Sequence, residues 1–218
     1  MRGLSRVPGV IKAVCFDVAG VLTSPIGPPF AAKALQAGLD LLELQSSALA
    51  AFAAPGDSDL PAHRIERGEI SLEDFLAGLD PADRASRILM DPASRYFVPP
   101  AFEGHPGMHD FVRDVRNSGR RTAVISNVVQ EWVPWWDATI PRDLFDEVVY
   151  SCDVGLRKPN PAIYYHALVR LGVEPQEALF LDDFEAMVAG ARAVGMEAIH
   201  VQQHDRAIAE ARALLGID

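Results

Sequence analysis

Apolar positions along this chain fall into short continuous runs and helix-spaced stripes that alternate in a definite order. Residues 11–16 form an apolar run interrupted by Lys12, of strand length and too short for a buried helix. The run ends at Asp17, and Gly20 soon afterwards supplies backbone freedom for a sharp turn. Ser24-Pro25-Ile26-Gly27-Pro28-Pro29 predicts a hinge, because repeated proline excludes a helix interior. Residues 31–90 then read as helical throughout. Asp40 with Glu43 has capping-box spacing, backed by Leu42, Leu49 and Phe52 on one apolar face. Ser71 with Asp74 repeats the arrangement ahead of a stripe of Leu72, Phe75, Leu76 and Leu79. A second hinge is expected at Val98-Pro99-Pro100 and Glu103-Gly104-His105-Pro106-Gly107.

Beyond it the rhythm becomes helix and strand in alternation. Helices are predicted over 108–118, 161–171, 187–194 and 205–215, and strands over 121–126, 147–151, 178–181 and 197–201. Strands spaced by helices imply crossover connections and a mostly parallel sheet. The expected fold is α/β, a Rossmann-like three-layer sandwich with an inserted all-helical cap. Residues 1–24 and 103–218 would form the core, and residues 25–102 the cap.

Composition narrows the function classes. The chain has 218 residues, 49% hydrophobic and 23% charged, enough for one generous core with a small helical appendage. Its formal net charge of -10 argues against a nucleic-acid backbone binder, which needs a concentrated basic surface. An anionic substrate stays compatible, since local charge in a cleft outweighs the sum. Cys15 and Cys152 sit in strand-like apolar contexts and read as buried thiols of a reducing compartment. Apolar runs are too short for a membrane span, and neither a signal-peptide core nor a basic amphipathic face is seen. The expectation is a cytoplasmic protein, monomer or homodimer, without a membrane or nucleic-acid partner.

Candidate chemistry collects at strand ends. Asp17, Ser126 with Asn127, and Asp182 with Asp183 each follow or close a predicted strand, and in a parallel sheet such ends share one edge. Asn160 is a plausible helix cap with Pro161 as first helical residue, which leaves Lys158 in the loop before that helix, able to point into the carboxylates. Asp17, Asp182 and Asp183 cannot sit close together uncompensated, because like charges repel strongly where solvent is partly excluded. A divalent cation together with Lys158 resolves the conflict. All-oxygen ligands, with no histidine at ligand spacing, favour Mg²⁺ over zinc. Taken singly, each aspartate also has an ordinary reading as a cap or turn residue.

Four segments in this order resemble the motifs of the haloacid dehalogenase-like hydrolase superfamily with a helical cap. They are Phe16-Asp17-Val18-Ala19-Gly20-Val21-Leu22-Thr23, Ile125-Ser126-Asn127, Lys158-Pro159-Asn160-Pro161 and Leu181-Asp182-Asp183. Glu69-Ile70-Ser71, Pro106-Gly107 and residues 190–196 add to the likeness, which covers residues 11–203 and is similar to the branch containing the N-terminal phosphatase domain of soluble epoxide hydrolases. The resemblance implies a hydrolase of small phosphorylated molecules. Asp17 would be the nucleophile that forms an aspartyl-phosphate. Ser126 and the backbone amide of Asn127 would hold phosphoryl oxygens, and Lys158 would neutralise charge and orient Asp17. Mg²⁺ would be held by Asp17, the carbonyl of Ala19, Asp182 and Asp183.

One departure bears on activity. The superfamily's phosphatases carry a second aspartate two residues after the nucleophile, and here Ala19 stands there. Alanine keeps the carbonyl but cannot protonate a leaving oxygen or activate water. A positioned acid or base contributes about 10² to 10⁴ in rate, so weak or specialised turnover is expected, favouring good leaving groups such as aryl or acyl phosphates. His105, beside the Pro106-Gly107 return, is a candidate substitute acid or base, with a solvent-exposed hinge histidine as the plain reading. Phe184 and Met187 replace polar residues that support the acidic pair in that branch. Trp132, Trp135 and Trp136 could line a cleft or pack a peripheral helix. The alternatives are a non-catalytic binding protein on the same fold and, behind it, a 2-haloacid dehalogenase.

Overall fold

The computed structural model describes residues 10–40, 42, 43, 48–91, 98 and 102–217. Five strands form one sheet: β1 (Ala13–Phe16), β2 (Arg121–Ser126), β3 (Glu147–Tyr150), β4 (Ala178–Asp182) and β5 (Glu197–His200), in the order β3-β2-β1-β4-β5. Every pairing is parallel. Each connection therefore carries the chain back across the sheet, and helices do this on both faces. The helices are α1 (Gly27–Gln36), α2 (Pro61–Glu66), α3 (Leu72–Ala77), α4 (Arg84–Met90), α5 (Pro106–Asn117), α6 (Val133–Thr139), α7 (Ser151–Val154), α8 (Pro161–Leu171), α9 (Glu185–Val194) and α10 (His204–Leu215).

Alternation along the strands divides the core. Val14, Phe16, Val124, Leu179, Leu181 and Ile199 turn to one face, where they meet Phe111 and Val115 of α5 and Ala211 of α10. Ala13, Cys15, Ala123, Ile125, Phe180 and Ala198 turn to the other, against Tyr164 and Leu168 of α8 and Val188 of α9. Both faces are buried, which is why these strands read as continuous apolar runs. Cys15 is one of these packing residues, and burial pushes its thiol up to about 12, so it is no nucleophile.

The predicted elements recur with ends shifted by one or two residues. The capping signals hold where described: Ser71 accepts from Asp74 N at 3.0 Å, Asn160 Oδ1 accepts from Ala162 N at 3.0 Å, and Gly172 closes α8 in the left-handed region at φ 65°. Asp40 and Glu43 exchange backbone-to-carboxylate hydrogen bonds of 2.8 Å in each direction, whereas the Leu49 side chain, Pro99 and Pro100 lie outside the described residues.

The expected hinge over 24–29 is a correction. Pro28 and Pro29 fall inside α1, in a first turn whose N–H groups have no intrahelical acceptor and where proline costs no hydrogen bond. Between β1 and α5 the described residues contain helices and no strand, as expected. No helix among them is long and apolar enough to cross a membrane.

Candidate active site

The backbone after β1 builds the centre of the site. Asp17 N donates to Leu181 O at 2.9 Å, which continues the β1–β4 register by one residue and sets Asp17 beside Asp182. Val18 O then accepts from the amides of Val21, Leu22 and Thr23, closing the chain into a compact turn. Gly20 is required there twice over: its φ is +77°, and a Cβ would lie 2.1 Å from Asp183 Oδ2.

Lys158 supplies the counter-charge. Its ammonium is 2.8 Å from Asp17 Oδ1 and 2.5 Å from Asp182 Oδ2, with the side chain 2% exposed. Burial works against its proton, but the charges of Asp17 and Asp182 outweigh that and raise its proton affinity above a lysine's ordinary value. Asn127 anchors the loop that delivers it: Lys158 N donates to Asn127 Oδ1 at 2.8 Å, and Asn127 Nδ2 donates to Lys158 O at 3.1 Å.

Both oxygens of Asp182 are engaged, the second accepting from Phe184 N at 2.8 Å. Asp17 Oδ1 and Asp183 Oδ1 are buried without a directed hydrogen bond, the former in spite of its ion pair with Lys158. Asp17, Asp182 and Asp183 each offer an oxygen within 4.8 Å of the others. His200, at the end of β5, lies with Nε2 2.9 Å from Asp183 O, so the backbone beneath that carboxylate is braced.

These groups form one end of a cavity of about 410 Å³. Asp17, Ala19, Ser126, Asn127, Lys158, Asp182 and Asp183 all border it, so residues spread along the chain converge at the strand ends as expected. The Ser126 hydroxyl makes no protein hydrogen bond among the described residues, leaving it free for a ligand. Trp132 and Trp136 border the cavity and pack at the same time: Trp132 stacks on Phe30 at 5.2 Å and Trp136 on Phe102 at 4.3 Å between ring centroids. Trp135 is 47% exposed and does neither.

His105 is not brought to the site. It caps α5, its Nδ1 accepting from Met108 N at 3.1 Å, and its ring stacks on His204 at 3.8 Å. It is absent from the cavity wall, with one ring nitrogen committed to the cap.

Two further residues carry no sequence signal, one in the cavity wall and one behind it. Glu66, at the end of α2, borders the cavity, and its Oε2 accepts from Arg157 Nε at 2.8 Å. Arg157 is 0% exposed and also donates to Gly56 O, while its Nη2 has no hydrogen bond. Ser151 Oγ donates to Glu66 O, so the end of α2 is fastened to the start of α7, ahead of the loop that carries Lys158. A charged residue on a short helix carries no periodic signature, and Arg157 looks like an ordinary loop cation until its burial is known.

Buried carboxyls set the pH response of this end. Burial pushes Glu66 up to about 7, against the pull of Arg157. Burial likewise raises Asp182 against the pull of Lys158, and it raises Asp183 with added repulsion from Asp17 and Asp182. Each group binds its proton more tightly folded than unfolded, so the stability it contributes at low pH is lost as pH climbs through the raised value. Stripped of divalent metal, the protein is expected to melt lower at about pH 8 than at about pH 5.5. Thermal melts in chelator measure this, and a profile that is flat or rises over that window contradicts it.

A family profile described as haloacid dehalogenase-like hydrolase matches residues 11–195. The chain is 32% identical over 214 residues to mouse acyl-CoA dehydrogenase family member 10, covering 94% of this chain but 19% of that much longer protein. It is 28% identical over 210 residues to phosphoglycolate phosphatase of Pseudomonas putida, covering 91% of this chain and 73% of the relative. A haloacid dehalogenase family enzyme of Bacteroides thetaiotaomicron, crystallised as a magnesium complex, shares the fold with a TM-score of 0.63, 20% identity and coverage of 88% and 93%.

Proposed function

This chain belongs to the haloacid dehalogenase-like hydrolase family, and within it we propose a Mg²⁺-dependent phosphatase of small phosphorylated molecules that works through an aspartyl-phosphate on Asp17. The observation that carries this reading is the Lys158 ammonium held between Asp17 and Asp182, with Asp183 alongside, at one end of a substrate-sized cavity. The phosphatase relative with most of its length matched supports it. Residues 25–102 act as a cap over a core of residues 1–24 and 103–218.

The donor set fits a hard divalent cation. It is all oxygen, and three carboxyls share one ammonium, with Asp183 Oδ1 buried and without a hydrogen bond, so one lysine cannot supply the positive charge they need. Asp17, the Ala19 carbonyl, Asp182 and Asp183 would hold Mg²⁺, which when bound neutralises phosphoryl charge. Asp17 then attacks phosphorus in line as the ester oxygen departs. Ser126 Oγ and the Asn127 amide donate to phosphoryl oxygens, and Lys158 balances the charge that builds on them. Water next attacks phosphorus, frees inorganic phosphate and restores the Asp17 carboxylate.

Ala19 gives neither step an acid or base, and His105 is turned to helix capping. The leaving oxygen must depart unprotonated or take its proton from water. Slow turnover follows, and the missing group favours a second reading, a binding protein that has lost catalysis.

Phosphate release from acetyl phosphate with Mg²⁺, repeated in chelator, separates the two. Release that stops on chelation is the expected result. Ala19→Asp should speed turnover by about tenfold or more, recovering part of the ~10²–10⁴ that a positioned acid contributes. Tight phosphate binding without release in either form would establish the binding protein instead.

A further inference from the structure

We infer that the organic group taken by this cavity is a flat, uncharged aromatic ring joined to phosphate through a phenolic oxygen. The inference rests on the phosphatase reading above and deepens it. Two independent features, the cavity wall and the residue at position 19, point to the same chemistry.

The first feature is the division of polarity. Carboxylates, Ser126, Asn127 and Lys158 occupy one end, and the rest of the wall is chiefly apolar, with Phe30, Phe52, Val129, Trp132, Trp136 and Phe184 in it. The large rings do not have to be organised by a ligand. Phe30 and Trp132 hold each other stacked with planes 26° apart, and Phe102 backs Trp136 with planes 28° apart. Trp132 is 8% exposed and Trp136 2%. Rings fixed by their neighbours give area to an aromatic guest at little entropic cost.

The same wall discriminates by charge. Among the described residues lining the cavity, Lys158 is the sole cation, and Asp17 and Asp182 already occupy it. Apart from the aspartates, the remaining ionisable group in that wall is the Glu66 carboxyl, which Arg157 already occupies. A substrate bearing a second anion, such as the carboxylate of phosphoglycolate, would lose its water and find no free cation among the described lining residues. A sugar would leave most of its hydroxyls against hydrocarbon.

The second feature is Ala19. Without an acid there, the P–O bond breaks with its electron pair leaving on oxygen. A phenol, with a pKa near that of tyrosine (~10), yields a far better unprotonated leaving group than an alkanol, whose acidity is close to that of water (~16). In the first step the Asp17 oxygen–phosphorus bond forms as the phosphorus–aryloxide bond breaks, and the aryloxide takes a proton from solvent. In the second, water's oxygen bonds to phosphorus and the Asp17 oxygen–phosphorus bond breaks. The sum is aryl phosphate plus water giving phenol and inorganic phosphate. Acyl phosphates leave as readily, but a small acyl group leaves the ring-lined part of the wall uncovered.

The test compares kcat/KM of the Mg²⁺-loaded protein for 2-naphthyl phosphate, phosphoglycolate, glucose 6-phosphate and acetyl phosphate. Naphthyl phosphate is expected to exceed phosphoglycolate and glucose 6-phosphate by about a hundredfold. Trp132→Leu and, separately, Trp136→Leu should lower kcat/KM for naphthyl phosphate about tenfold more than for acetyl phosphate, chiefly through KM. Because the comparison is a ratio between substrates of one preparation, partial misfolding cancels. Phosphoglycolate or glucose 6-phosphate turned over as well as naphthyl phosphate overturns the aromatic substrate class and leaves the phosphatase reading standing. No release from any of the four, acetyl phosphate included, overturns the phosphatase reading and this inference with it.

Discussion

Asp17→Asn is expected to abolish phosphate release, by at least about 10⁴-fold, while making the metal-free protein more stable. The amide fills the same space but cannot form the acyl-phosphate bond. Its effect on stability has the opposite sign because the site holds more negative than positive charge. Lys158 is the one ammonium among Asp17, Asp182 and Asp183, and Asp17 is itself a cause of the raised proton affinity of the other two. With that charge removed, Lys158 still pairs with Asp182 at 2.5 Å and the repulsion falls. A melting temperature a few degrees higher in chelator corresponds to about 1 kcal/mol for a chain of this length. Mg²⁺ should stabilise the wild type more than the variant. Retention of more than about 1% of wild-type activity would remove Asp17 from the nucleophile's place. A melting temperature lowered in chelator would show that the Lys158–Asp17 attraction outweighs the crowding of carboxylates.

Arg157→Met is expected to cost about 3–5 kcal/mol of folding stability, a large share of a domain's total. The guanidinium is fully buried and is the partner of the Glu66 carboxyl, so its loss leaves that buried carboxyl without its donor and forces it toward the protonated form, and it removes the donor to Gly56 O. The double variant Arg157→Met, Glu66→Leu should recover much of the loss, because an apolar pair of similar volume carries no desolvation penalty. Urea denaturation of both variants gives the two values directly. A single variant that loses less than about 1 kcal/mol, or a double variant no better than the single, would show that the pair is not what joins α2 to the Lys158 loop.

Much of this architecture follows from short-range regularities. Continuous apolar runs at 121–126 and 178–181 are strands because both faces of a parallel sheet are covered, and the cap residues Asn160 and Ser71 mark helix starts by hydrogen bonds that reach only two or three residues. Asp17, Ser126, Lys158 and Asp182 could be placed together from sequence because parallel strands align their C-terminal ends on one edge.

The prolines of α1 misled for a local reason: proline forbids a helix interior but suits a first turn, and composition does not separate the two. His105 misled for a spatial one, since nearness to the cap's return in sequence says nothing about which way an imidazole turns. The Glu66–Arg157 pair links residues 91 apart in sequence, and no periodic pattern announces it. Sequence by itself determined the layered fold and the polar residues at its strand ends, since periodicity and register are properties of neighbouring residues. Tertiary structure alone decided which rings wall the cavity, which carboxyls share the one ammonium and which charge α2 lays against the Lys158 loop, because burial and pairing depend on side chains that meet only after the chain has folded.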